Sequence, residues 1–214
     1  MSGGNNTNSE SPGMRTIRCL YFILLLDTRV YSVNGNDITV ERTILYAFSG
    51  GQESDAGVIH GYTVHQARKE GHEIFYTIEE GHGLKVGDQV TMTVDWERRY
   101  RLMRLHFAAE VVLELAFKRL TGIEKIGAHI SQDKARIDFA WHENISESFP
   151  WIGKEFSGII EADLDIISAF SDEGNGRRYW EVKGFSKLPC GGTPLKKKGE
   201  VGDSAECNRF SDYI

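Results

Sequence analysis

The 214-residue chain is 40% hydrophobic and 26% charged, with a formal net charge of −6. This composition is that of an ordinary globular protein and excludes collagenous, coiled-coil and wholly disordered classes. A net negative field also excludes a protein drawn to nucleic acid by overall charge, so any such contact must rest on local basic patches and shape.

Three cysteines, Cys19, Cys190 and Cys207, are widely spaced and odd in number. They make a poor disulfide framework and suit a reducing, cytoplasmic compartment. The 23 glycines against 4 prolines point to many turns between short strands.

In chain order, residues 1–13 are mostly Ser, Asn and Gly and read as a disordered tail. Residues 14–95 read as a small β-barrel domain carrying a glycine-rich motif. Its first strand is the apolar run Cys19–Leu26, too short to cross a bilayer and expected in the core. Asn34-Gly35 predicts a hairpin, Gly71 a second turn, and Gly87-Asp88 a third before the alternating Val90, Met92 and Val94.

From Trp96 the period changes. Leu102, Leu105, Ala109, Val112, Leu113, Ala116 and Leu120 recur at three and four, which predicts an amphipathic helix ended by Gly122. Two short strands follow around the polar turn Ser131–Lys134. A second helical pattern runs over Phe149–Phe170, and Arg178–Phe185 reads as a strand. The fold class is therefore α+β, with a second domain over 96–214 in which helices pack on an antiparallel sheet.

Two stretches carry candidate chemistry. His106 and Glu110 lie four apart on the long helix, so both side chains share one face. Such a pair suits metal ligation or acid–base work, and equally an ordinary polar surface pair. Leu188–Gly202 (LPCGGTPLKKKGEVG) sets Cys190 in a glycine-rich loop between Pro189 and Pro194, neither of which continues a helix. A cysteine there is a ligand, a nucleophile or a buried turn residue. Together His106, Glu110 and Cys190 make a plausible zinc set with an open fourth position.

Four motifs then add up. Thr43–Gly57 (TILYAFSGGQESDAG) resembles the pattern T-x-F-Y-x-x-G-G-G-Q-x-x-D-x-G of the alanyl-tRNA editing proteins, departing at Leu45 and Ser49. Asp95–Leu113 resembles their D-x-x-R-R-x-x-x-M-x-x-H-T-A-x-H-L-L helix, Gly127–Phe139 the strand pair that follows, and Arg178–Gly202 their R-x-W-x-I-x-G-F-x-x-x-P-C-G-G-T-H-x-x-x-T-G-E-I-G segment. These proteins are free-standing relatives of the editing domain of alanyl-tRNA synthetase and are similar in fold to the second domain of threonyl-tRNA synthetase.

The resemblance implies a trans-acting hydrolase of mischarged aminoacyl-tRNA, chiefly seryl- or glycyl-tRNA with alanine identity. It also implies zinc held by two helix histidines, the loop cysteine and a last histidine. Here Glu110 stands at the second histidine, Pro194 at the last, and Phe107 replaces the threonine beside His106. Pro194 offers no ligand atom, so the implied metal set shrinks to His106, Glu110 and Cys190, which are also the implied catalytic residues. Zinc bound or zinc absent both stay open. Substrate binding falls to Gln52, Gly191, Gly192 and Thr193, with Asp55 bracing the glycine-rich loop. Arg98, Arg99, Arg101 and Arg104, with Lys196–Lys198, are candidates for tRNA phosphates. His129, His142 and Cys207 are spare ligand candidates. Two alternatives stand beside editing: hydrolysis or transfer on an aminoacyl-tRNA-derived intermediate in small-molecule metabolism, and a metal-free module that binds aminoacyl-tRNA or a free amino acid. No membrane partner is expected.

Overall fold

Period-two alternation builds the N-terminal strands: Val90, Met92 and Val94 are all buried along one strand face, with Thr91 and Thr93 between them. The computed structural model describes residues 15–16, 23–71, 73–172, 177–191 and 195. Of these, the residues up to Tyr46 group with Gly57–Val94 in one unit, and Ala47–Ala56 group with the residues from Asp95 onward in a second. The tail expected at 1–13 and the first half of the run Cys19–Leu26 lie outside the described residues.

Nine strands are described in the first unit: β1 (Arg15–Thr16), β2 (Leu25–Asn34), β3 (Asp37–Val40), β4 (Arg42–Thr43), β5 (Gly57–Ile59), β6 (Tyr62–Thr63), β7 (Gln66–Glu70), β8 (Glu73–Thr77) and β9 (Gln89–Val94). Seven form one sheet in the order β6-β5-β9-β2-β3-β8-β7, with every neighbour antiparallel. The long β2 pairs with β9 through its first half and with β3 through its second, with a register shift between Val30 and Ser32. Such an irregularity bends a strand, and it lies where β2 passes from one partner to the other. Where a barrel was expected, the strands form this antiparallel sheet, and among the described residues no pairing joins the edge strands β6 and β7.

The hairpin expected at Asn34-Gly35 forms, with Asn34 opposite Asp37 and Gly35 at φ 59°. That value is left-handed and suits glycine at a tight turn. The turns at Gly71 and Gly87 also fall where expected. One reading is corrected: Leu24 and Leu25 are 47% and 56% exposed, and of this apolar run's described end only Leu26 is buried. Because β2 begins at Leu25, its alternation turns Leu26, Thr28 and Val30 inward and Leu25 outward.

In the second unit, α1 (Trp96–Arg119) starts at Asp95, whose Oδ1 accepts the Arg98 N–H at 3.1 Å. This satisfies one of the orphan donors of the first turn. The hairpin β10 (Glu124–Ile130) and β11 (Ala135–Ala140) follows as predicted. Leu102 and Ala109 of α1 form a buried cluster with Ile130 and Ala135, against which Leu105 and Ile137 pack. Next come α2 (Phe149–Glu161) and a three-stranded antiparallel sheet of β12 (Ile167–Asp172), β13 (Arg177–Val182) and β14 (Ser186–Pro189), in the order β12-β13-β14.

The second helix stops at Glu161, short of the Phe170 expected from its spacing. Ile152, Phe156 and Ile160 bury its stripe, but Asp163 takes φ 38° and Leu164 is 45% exposed. Left-handed backbone ends the helix, and the Ile-rich segment after it pairs as β12. The α+β class holds.

Candidate metal centre

The helix dictates the first two members. His106 and Glu110 stand one turn apart on α1, and Glu110 Oε1 lies 3.2 Å from His106 Nε2. The third comes from the chain after β14. Cys190 N–H donates to Arg178 O at 3.0 Å, which extends the β13–β14 pairing by one residue and aims the thiol at the helix. Its Sγ lies 3.4 Å from the same His106 Nε2. One ligand atom from each of the three residues lies within 4.8 Å of the others.

Both contacts meet at one nitrogen. His106 Nδ1 is buried with no hydrogen-bond partner among the described residues, so the imidazole works through Nε2 alone. A relay in the manner of a nucleophile–His–carboxylate triad uses both ring nitrogens, one for each partner. Here thiol, carboxylate and imidazole instead converge on a point, as ligands around a cation do. Donors held tetrahedrally at ~2.0–2.3 Å from zinc are ~3.3–3.6 Å apart, close to the spacings His106 makes. Imidazole, thiolate and carboxylate are all accepted zinc ligands, so the residues present fit the metal.

The site is nearly dry: the His106 and Glu110 side chains are 10% and 18% exposed, and Cys190 is buried. Burial pushes the His106 imidazole down, but hydrogen bonds to Cys190 and Glu110, reinforced by their charges, outweigh it and push the group up to about 10. The pocket thus favours positive charge at Nε2.

A second set of contacts holds the hairpin to the helix. The Trp180 indole N–H donates to Glu110 Oε2. Ser186 Oγ donates to Glu114 Oε2 at 2.6 Å, and Lys118 Nζ donates to Phe185 O at 2.6 Å. His106, Glu110, Glu114 and Lys118 are therefore one polar stripe at four-residue spacing, each member bonded to residues of 180–190. Sequence reading missed Trp180, Glu114 and Lys118. For Glu114 and Lys118 the available signal is the polar spacing at i, i+4, i+8 and i+12 from His106.

The glycine-rich loop, Ala47–Ala56, is sewn to β10. Glu53 N–H donates to Ile130 O at 2.9 Å and Ile130 N–H to Gly51 O at 2.8 Å. A Cβ on Gly51 would sit 2.4 Å from Ala128 O at φ 87°, so a glycine is required there. Gln52 is fully buried and bridged to Ile130. Asp55 braces the loop: Arg99 donates Nε to its Oδ1 at 2.7 Å and Nη2 to its Oδ2, and both side chains are 0% exposed.

That pairing corrects the basic-patch reading for two arginines. Arg99 is buried against Asp55, and Arg98 bonds Glu53 Oε2 at 2.7 Å and Gln132 Oε1 at 3.0 Å. Neither is displayed for phosphate. Arg101 is exposed beside Glu97. Of the spare ligands, His129 pairs with Glu53 and His142 with Glu143, and neither joins the three-residue group. Gly191 is described with open space where a side chain would lie. Gly192, Thr193, Pro194, Lys196–Lys198 and Cys207 lie outside the described residues. Among the described residues no helix is long and apolar enough to cross a membrane.

Comparison with known proteins gives a consistent set of relatives. The chain is 32% identical over 187 residues to the alanyl-tRNA editing protein AlaX-M of Pyrococcus horikoshii, covering 86% of this chain and 85% of that one. It is 32% identical over 198 residues to AlaX-M of Methanosarcina mazei, with 78% of each chain covered. It is also 30% identical over 186 residues to the alanine–tRNA ligase of Methanococcus maripaludis, spanning 77% of this chain and 21% of the ligase. No family model matches the sequence.

Proposed function

The chain belongs to the alanyl-tRNA editing protein family of the AlaX-M type, and from that premise we propose that it is a trans-acting esterase that strips a wrong amino acid from tRNA. Seryl- and glycyl-tRNA of alanine identity are the proposed substrates. The observation that carries the chemistry is the convergence of Glu110 Oε1 and Cys190 Sγ on His106 Nε2.

His106, Glu110 and Cys190 would hold the metal. A divalent ion bound there supplies Lewis acidity, bringing the pKa of water near neutrality and polarising an ester carbonyl. The protein's own groups do the rest. His106 Nε2, which faces both Glu110 Oε1 and Cys190 Sγ, would have to be free of a proton to hold an ion, so protons and metal would compete for the site. Burial of Cys190 and His106 excludes bulk water, which strengthens every charge interaction with the ester.

Gln52 and the backbone N–H of Gly191 are the proposed donors to the developing oxyanion; Gly192 and Thr193 are assigned to substrate from the family pattern. The substitution of Glu110 for the family's second histidine and of Pro194 for its last makes this an altered site, with one fewer protein ligand and an open position. The proposed organisation is residues 14–95 as a barrel domain with the glycine-rich motif and 96–214 as the editing domain, although Ala47–Ala56 of that motif group with the second unit.

Deacylation of seryl-, glycyl- and alanyl-tRNA, with zinc added and with zinc removed by chelator, tests the proposal. Zinc-dependent release of serine or glycine, abolished in Cys190→Ala, is the expected result. No release from any of the three in either condition would sink it.

A further inference from the structure

We propose that Trp180 is a positioning residue of the metal centre: its indole N–H pins Glu110 Oε2 and leaves Oε1 as the one carboxylate oxygen presented to the metal. The proposal rests on the metal-holding reading of His106, Glu110 and Cys190. Trp180 is 0% exposed in the middle strand β13, between Ser168 of β12 and Leu188 of β14. Its ring is held edge-on by Phe107 at 5.3 Å and stacked with Phe185 at 6.4 Å. It is a fixed indole, and an indole nitrogen can only donate.

A buried N–H of this kind needs an acceptor, and Glu110 Oε2 supplies it. The other oxygen lies 3.2 Å from His106 Nε2. The rotatable torsions of Glu110 are thereby reduced to one presentation. Without the indole, the carboxylate is free to turn both oxygens toward the cation or to swing into the 18% of its surface open to solvent. Groups that orient a ligand in this way are worth ~10–100-fold in metal affinity.

The test is Trp180→Phe, which keeps an aromatic ring against Phe107 and removes the donor together with the second ring of the indole. Cobalt(II) is titrated into the zinc-free parent and the variant, and uptake is followed by the sulfur-to-cobalt absorption band. Affinity ~10–100-fold weaker in the variant, with the band still present because Cys190 still ligates, is the expected outcome. A role confined to packing would lower the melting temperature and leave the affinity alone. Uptake by both proteins within about threefold, on the same expected scale, overturns the assignment while leaving the metal site standing. No uptake by the parent overturns the metal reading itself, and this one with it.

If Trp180→Phe does not fold, the indole N–H signals of nitrogen-labelled protein decide. Trp96, Trp141 and Trp151 are identified by substitution, and the remaining signal is Trp180. It is expected to shift on adding zinc and in Glu110→Ala. A Trp180 signal that Glu110→Ala leaves unmoved overturns the assignment.

Discussion

A carboxylate at position 110 solves a problem that an imidazole would meet differently. Glu110 faces two demands, the donor of Trp180 and the crowded point at His106 Nε2, and it has an oxygen for each. The same residue-scale logic governs Arg99 and Asp55. A guanidinium fork set on both carboxylate oxygens, with neither group exposed, is stable only as a pair. Arg99→Leu would take the guanidinium away from the buried Asp55 carboxylate and is expected to lower unfolding free energy by ~3–5 kcal/mol, read from urea denaturation. Replacing both partners with apolar residues should recover most of that loss. Arg99→Lys should not, because an ammonium offers no fork. A cost below ~1 kcal/mol for Arg99→Leu, the range of surface pairs, would show that the pair is not buried in solution.

At the scale of elements, one face of α1 acts as a rack for the hairpin β13–β14. The apolar side of the helix meets β10 and β11 through Leu102 and Ala109, while the polar stripe His106, Glu110, Glu114 and Lys118 takes hold of Cys190, Trp180, Ser186 and Phe185. Position of the thiol is thus set by two contacts that lie one and two turns beyond the centre itself. Lys118 adds its ammonium over the Phe185 ring at 4.1 Å. Removing Glu114 and Lys118 side chains together should cost ~1–2 kcal/mol locally, since each bond is worth ~0.5–1.5 kcal/mol and both are partly solvated. Amide exchange at Phe185–Leu188 should accelerate by ~10-fold in the double alanine variant, with β10 and β11 unchanged. Equal acceleration in both hairpins would mean that the stripe stabilises the unit as a whole rather than this hairpin.

Across the whole molecule, what could be read from sequence was what local physics decides. Turn glycines at Gly35 and Gly71, the alternation of Val90, Met92 and Val94, and the long helix starting after Asp95 all depend on neighbours in the chain. The His106–Glu110 pair was legible from its four-residue spacing, whereas Cys190, 84 positions from His106, was joined to it only through its glycine-rich loop and the resemblance of the motifs; the structure brings the three together. Illegible features hinge on distant partners. Arg98 and Arg99 look like a phosphate patch until Glu53 and Asp55, some 44–45 positions away, are seen beside them. Trp180 looks like core until its donor is followed 70 positions back to Glu110. The end of α2 was missed because Leu164 and Ile167 continue a helical spacing that Asp163 interrupts.

Charge gives the last prediction. The chain carries −6 overall, and two of the arginines expected to meet phosphate neutralise Asp55 and Glu53 instead. Few cations remain on α1 for a tRNA backbone, Arg101 among them at 48% exposure but paired with Glu97. Each phosphate neutralised contributes a slope of about −0.7 to −0.9 in log affinity against log salt. Recognition built on about two such contacts loses only ~10-fold between 50 and 200 mM salt, whereas six or more lose ~10³-fold. Affinity for a mischarged tRNA, measured by filter binding with Cys190→Ala to prevent turnover, should follow the shallow slope. Shape and the aminoacylated end would then supply most of the selectivity, consistent with a small, dry centre closed by Cys190 and His106. A slope corresponding to six or more contacts would place the tRNA-binding cations elsewhere, with Lys196–Lys198 the first to substitute.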